Sequence, residues 1–407
     1  MSEILFTEQT TTALLQYKNQ LKEELHAILN YWNKYATDYL LGGFYGKIDN
    51  KNKAEPDAAK GLVLNARILW TFSAAYNQTK EQKHCAVAGR AFRYILDCFK
   101  DNEFGGVYWS VDANGNMLDG RKQIYAQAFC IYGMSEYYAA TQNRAALDFA
   151  IELYNTIEHY SYDTVYKGYF EAFSREWGSL DDLRLSAKDA NEKKTMNTHL
   201  HIIEAYANLF KVWPDDLLRS KIEVLLFLFD SYFIDHQTYH FRLFFNEQWN
   251  EVPDVISYGH DIEAAWLLQQ CAEIIHNEEW ISKMKQHAIR IANAAIEGLD
   301  EDGGLWYELE LQGQHLIKEK HWWPQAEAMI GFFNAWQVSG EEKYLHLSIN
   351  SWKFIQQHLL DKENGEWFWG IKEDHTPMEG QDKAGFWKCP YHNARSCMEV
   401  IARIESL

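Results

Sequence analysis

Cysteine, proline and positive charge are all scarce in this chain. Only 6 of its 407 residues are cysteine. Cys85, Cys98, Cys130, Cys271, Cys389 and Cys397 include no CxxC pair, which excludes a disulfide scaffold and a cysteine zinc ribbon and leaves reduced thiols packed as small hydrophobes. The 6 prolines are scattered, so no proline-rich linker divides the chain. Lys and Arg number 39 against 58 Asp and Glu, a net charge of −19 with no basic stripe. Such a field repels phosphate backbones and anionic lipid, so neither nucleic acid nor a membrane surface is an expected partner. The longest apolar run, VLLFLF, is far too short to span a bilayer. The opening MSEILFTEQTTTALLQYK lacks the basic segment and apolar core of a secretory signal. The expectation is a cytoplasmic protein, monomeric or homodimeric.

Aromatic side chains, by contrast, are abundant: 16 Trp, 24 Tyr and 22 Phe. Many sit in short glycine-aromatic segments, GGFYGKID, GGVYWSVD, KGYFEAF, GGLWYEL and GEWFWGI. With Gly43, Gly106, Gly168, Gly304 and Gly365 as markers the intervals are 63, 62, 136 and 61 residues, so one copy is missing from the long gap. YHFRLFF at 239–245 keeps the aromatics of that sixth copy without its glycine. Between the markers, amphipathic helical stretches such as TTALLQYKNQLKEELHAILNYW alternate with stretches apolar nearly all round, such as GLVLNARILWTFSAAY and HDIEAAWLLQQCAEII. Six outer and six buried helices in six repeats predict an all-α (α/α)6 barrel, a single domain over residues 1–407. Pro214 falls between an inner and an outer helix, where a helix breaker belongs.

Polar residues on buried helices need a partner or a ligand. Here they recur near the start of each inner helix: Arg67, Tyr125, Asn197 with His201, His260 with Glu263, Trp322 with Trp323, and His392. In an alternating barrel all six of those starts open at one end, so these side chains converge on one pocket. His260 and His392 fall in first turns, where the helix dipole disfavours added positive charge and keeps an imidazole neutral and basic. Glu263, three residues beyond His260, is positioned to fix the tautomer of that ring. Asp261 reads as a first-turn charge complementing the dipole. THLH resembles a metal-binding HxH, but on a helix His199 and His201 diverge by about 200° and do not share an ion. No metal site is expected. Glu263 and Glu327 on inner helices also admit a glycoside hydrolase with an acid and a base carboxylate, a reading that leaves the histidines without a role. A silent sugar-binding protein would keep the tryptophans and need none of the histidines.

The segments KKTMNTHLHIIEAY, SYGHDIEAAWLL, KHWWPQAEAMIGF and FWKCPYHNARSCMEV, together and in order, resemble the N-acylglucosamine 2-epimerase superfamily over the whole chain. The resemblance implies an (α/α)6 barrel that inverts C2 of a reducing-end sugar with no redox cofactor or metal. It makes His260 and His392 the acid/base pair and places His201 near the sugar O1 and O2. Arg67, Tyr125, Asp189, Asn197, Glu263, Trp322, Trp323 and Trp387 become substrate-shaping residues, Asp189 on the resemblance alone. NEQWNEVPDVISYGHD shows no insertion that would close over a monosaccharide, so the expected substrate is a β-1,4-linked disaccharide such as cellobiose or lactose. Monosaccharide 2-epimerisation and aldose–ketose isomerisation are the alternatives within the same chemistry.

Overall fold

The structure is a computed structural model that describes residues 7–253 and 255–407. Its outer helices bury one stripe each. In α1 (Glu8–Tyr31), Leu14, Tyr17, Leu21, Leu25, Ile28 and Leu29 are buried at helical spacing and the opposite face is charged. The inner helices are enclosed on all sides: α4 (Ile124–Thr141) is buried at every position from Ile124 to Ser135. The others follow in alternation. Inner helices are α2 (Leu62–Thr79), α6 (Met196–Val212), α8 (Tyr258–Ile274), α10 (Trp322–Ser339) and α12 (Tyr391–Glu405). Outer helices are α3 (Gln82–Tyr94), α5 (Arg144–Tyr160), α7 (Asp216–Leu228), α9 (Glu278–Ala295) and α11 (Glu342–Phe354). Pro214 lies between α6 and α7 as expected.

Neighbouring inner helices pack in order, α2 on α4, α4 on α6, α6 on α8, α8 on α10 and α10 on α12, and α12 returns to α2. That closure makes a barrel rather than an open solenoid. The outer helices lie in the grooves between them, with α1 against α12.

All six glycine-aromatic segments form the same hairpin. Each is closed by a single bridge, at Thr37 and Phe44, Lys100 and Val107, Tyr162 and Tyr169, Ile234 and Phe241, Leu299 and Leu305, and Leu360 and Trp367. The reversal runs through left-handed backbone, at Gly42 and Gly43, Gly105 and Gly106, Lys167 and Gly168, Gly303, and Gly365 and Glu366, a conformation glycine adopts without strain. In the fourth repeat Tyr239 takes the left-handed conformation at φ 63°, as Lys167 does in the third, while His240 in the place of the marker glycine does not, so this copy needs no glycine there.

Two kinds of contact dock the hairpins on the inner helices, the first in five repeats and the second in four. The first is a buried lysine. Lys60, Lys122, Lys194, Lys320 and Lys383 have fully or almost fully buried ammonium groups, 2.5–2.8 Å from Asp38, Asp101, Asp163, Asp300 and Asp361 respectively. The second oxygen of Asp38 accepts the N–H groups of Leu40 and Leu41, and Asp101, Asp163 and Asp361 repeat this pattern. Burial alone would raise these carboxyls; the backbone donors and the lysine outweigh it and hold Asp38 and Asp163 below the ordinary range.

The second contact comes from the fourth residue of the inner helix, which receives a hairpin N–H. Gln127 accepts from Val107 at 3.0 Å, His199 from Tyr169 at 2.9 Å, Asp261 from Phe241 at 2.8 Å and Gln325 from Leu305 at 2.7 Å. Asp261 is therefore not a solvated charge at a helix end. It is buried, and it also holds His240 Nδ1 at 2.7 Å.

Removing one partner of a buried ion pair strands the other, at a cost of about 3–5 kcal/mol. Lys60→Met should lower unfolding stability by that amount in urea denaturation. Lys22→Ala, which removes an exposed partner of Glu405, should leave it nearly unchanged.

Candidate active site

At the end where the hairpins dock, the first two turns of the inner helices surround a cavity of about 320 Å³, in the range of small-ligand sites. The side chains form two layers. Tyr125, Asn197, His260, Trp322, Trp323 and His392 come from first turns, and Arg67, His201 and Glu263 from the second. All eleven residues picked out from the sequence, Asp189 and Trp387 included, line this one cavity. The sequence reading missed Tyr307, Glu308, Trp369, Met378, Gln381 and the Leu185–Lys188 edge, which also line it. They sit on hairpins and loops, where no helical period marks them. A chamber of about 100 Å³ adjoins under the 183–192 loop and shares Asp189, Asn197 and His260 with the main cavity.

His201, His260 and His392 each have Nδ1 engaged. His392 Nδ1 lies 2.7 Å from Glu327, His201 Nδ1 2.9 Å from Glu204, and His260 Nδ1 2.8 Å from the Ser257 hydroxyl. With Nδ1 tied back, Nε2 is the nitrogen each ring has left for a ligand. The expected pairing of Glu263 with His260 does not form. Glu263 turns beneath the cavity, where it accepts from Arg395 at 2.7 Å and lies 3.8 Å from His392. The reason is that Arg395, fully buried on α12, needs several acceptors at once. It donates to Glu204, to Glu263, and to Glu327 at 2.6 Å, while Tyr391 donates to Glu204 at 2.6 Å. Glu204, Tyr391 and Arg395 were invisible in the sequence, since a buried charge cluster carries no spacing of its own.

This buried cluster sets the protonation of the site. Burial, with His201 adding to it, pushes His260 down to about 3. Burial likewise lowers His201, and with the Arg67 and Arg395 charges puts His392 well below the ordinary range. Burial, rather than the helix dipole, is thus the main cause of neutrality. Burial and the adjacent Glu327 push Glu263 up to about 8, whereas Arg395 and His201 outweigh burial at Glu204 and hold it at about 2. Glu263, Glu327 and His392 bring their ligating atoms within 4.8 Å of one another, but the Arg395 guanidinium already donates to both carboxylates. His199 shares nothing with His201. Its Nδ1 bonds the Thr195 carbonyl and its Nε2 receives the Tyr169 N–H, so both nitrogens are used.

Around the histidines stand flat and hydrogen-bonding groups. The Trp323 ring packs 4.8 Å from His260 and 5.7 Å from His392, between the two. Arg67 donates to the Tyr125 hydroxyl at 2.7 Å and to the Trp387 carbonyl, and its guanidinium lies 4.2 Å over Phe129. Asn197 Oδ1 and Trp322 Nε1 are buried without a protein partner, as befits polar groups that meet a ligand.

The family model for N-acylglucosamine 2-epimerase matches residues 43–396. The chain belongs to the N-acylglucosamine 2-epimerase family. It is 47% identical to the cellobiose 2-epimerase of Bacteroides fragilis, over 94% of this chain and 98% of that one. The cellobiose 2-epimerase of Dictyoglomus turgidum is 40% identical over 95% and 98%. The solved structure of cellobiose 2-epimerase from Bacillus thermoamylovorans B4167 superposes with a TM-score of 0.92 at 39% identity, over 95% of this chain and 99% of that one. As a member of this family the protein is a carbohydrate epimerase, an enzyme of the isomerase class, on an (α/α)6 barrel.

Glu327→Gln keeps the shape behind His392 and removes its negative charge. An imidazolium at His392 then loses its main stabilising contact, so kcat should fall about 10²-fold with KM changed far less, in steady-state assays of epimer formation.

Proposed function

We propose that the protein interconverts the C2 epimers of the reducing-end glucose of β-1,4-linked disaccharides, turning cellobiose into glucosyl-mannose and lactose into epilactose. The observation that carries this reading is the pair of neutral imidazoles, His260 and His392, flanking Trp323 in a cavity lined by aromatic rings. Relatives named cellobiose 2-epimerase support the choice of substrate. So does the adjoining chamber, which lengthens the cavity beyond His260.

In the open-chain sugar the C2 proton lies α to the aldehyde and is acidic enough for an imidazole to remove. One histidine takes that proton and an enediolate forms. The other, approaching the opposite face, returns a proton to C2 with inverted configuration. Arg67, Tyr125 and His201 are the groups to stabilise the developing oxyanion at O1 and O2, the largest electrostatic demand of the reaction. Asp189, Asn197, Glu263 and the tryptophans Trp322, Trp323 and Trp387 shape the sugar site, the indoles packing on sugar C–H faces. The chemistry calls on no metal or redox cofactor. Free, mostly buried cysteines favour a cytoplasmic enzyme, and no described helix is long and apolar enough to cross a membrane.

A hydrolase reading is weaker. Glu263 and Glu327 bond one guanidinium nitrogen beneath the cavity, rather than standing on either side of a glycosidic bond.

Proton NMR of cellobiose with EDTA-treated protein in D2O provides the test. A mannose-type reducing end should appear together with deuterium at C2, and His260→Asn or His392→Asn should abolish both in a folded protein. Release of free glucose would favour the hydrolase instead, and deuterium at C2 in either variant would remove that histidine from the pair.

A further inference from the structure

Ser257 directly precedes α8, in the position from which a serine normally caps a helix by accepting an N–H of the first turn. It makes no such bond. Its side chain is buried, and the Ser257 hydroxyl lies 2.8 Å from His260 Nδ1 instead. The corresponding residue before α6, Thr195, does cap its helix, accepting the Thr198 N–H at 3.2 Å. The fourth repeat has thus diverted a capping hydroxyl to an imidazole. Its backbone is set independently, because the strand Val255–Ser257 pairs with Glu308–Glu310 and brings Ser257 opposite Glu308.

His201, His260 and His392 are consequently backed in two ways. His201 and His392 each have a carboxylate at Nδ1, an acceptor alone when ionised, which fixes the hydrogen on Nδ1. A hydroxyl both donates and accepts. His260 can therefore carry its hydrogen on either nitrogen while its ring stays in place.

Resting on the reading of His260 as one of the acid/base pair, we propose that Ser257 is a positioning residue that holds the His260 ring with Nε2 toward the sugar. Trp323 packs against this imidazole and limits its tilt, but a flat contact does not fix rotation about the side-chain bonds; a directed hydrogen bond at Nδ1 does. A ring turned away from C2 loses the close approach on which proton transfer depends, whereas sugar binding rests on many other groups. The position should therefore govern kcat far more than KM.

Ser257→Ala removes the hydroxyl without removing a cap, and Ser257→Thr keeps the hydroxyl. Steady-state epimerisation of cellobiose should show kcat about tenfold lower in Ser257→Ala, with KM within about twofold and Tm within a few degrees of the parent. Ser257→Thr should recover most of the loss. NMR of ¹⁵N-labelled histidine should show the His260 ring nitrogens shifted in Ser257→Ala and restored in Ser257→Thr. The proposal is overturned if Ser257→Ala keeps full kcat, or if kcat falls only together with Tm and Thr fails to restore it. Full turnover by His260→Asn would overturn the acid/base reading as well. Loss of turnover in His260→Asn beside an unaffected Ser257→Ala would overturn the positioning role alone.

Discussion

The docking of each hairpin onto the inner helix that follows is the constraint from which the rest of the molecule derives. A barrel of twelve helices could slide its staves past one another by a turn with little change in apolar burial, because the hydrophobic effect has no direction. Buried ion pairs and N–H acceptors do have direction. Five lysine–aspartate pairs and four plugs at the fourth helical residue fix where inner helices begin relative to the hairpins. With the starts level, first-turn residues share one layer and sixth residues a second, and the site is the disc between them. The fourth repeat lacks the lysine and carries Ile256 two residues before its helix. It relies on Asp261, gripping both Phe241 and His240, to anchor the turn that bears His260.

Beneath that disc the electrostatics are concentrated in one residue. Three carboxylates in an apolar interior would be untenable without a cation, and Arg395 supplies it to Glu204, Glu263 and Glu327 together. The arrangement joins α6, α8, α10 and α12 under the floor of the cavity. It also divides the labour among the carboxylates: Glu204 and Glu327 back histidines, while Glu263, raised to about 8 by burial and by Glu327, lines the cavity. Burial keeps the imidazoles above this floor neutral, and the floor offers His392 an anionic neighbour once it gains a proton.

Much of this was legible in the sequence because the repeat writes itself in two alphabets. Glycine and aromatic residues announce the hairpins, and helical periods announce the staves, so the barrel and the nine pocket residues on its inner helices could be read in order, while Asp189 came from the family resemblance alone. What escaped detection has a common cause. Lys60, Asp38 and Arg395 look like ordinary surface charges until the chain is folded, since nothing local tells a buried charge from a solvated one. Asp261 was misread for the same reason, and Glu263 was assigned to His260 because three residues on a helix is a plausible spacing for contact. The structure prefers the longer-range partner. Tyr307, Trp369 and Gln381 lie on connections whose shape is set by tertiary docking, and a single sequence carries no period there.

The order of residues along the chain gives the Arg395 contacts a further meaning. Glu204, Glu263 and Glu327 all leave the ribosome before the one guanidinium that makes their burial tolerable, and chains emerge at about 5–20 residues per second. Until then the three acids lack the cation that offsets their burial. α12 brings that cation together with the contacts to α10 and α2 that close the ring. The floor of the cavity and the His392 imidazole above it are thus completed by the same helix, after the other five inner helices have been made.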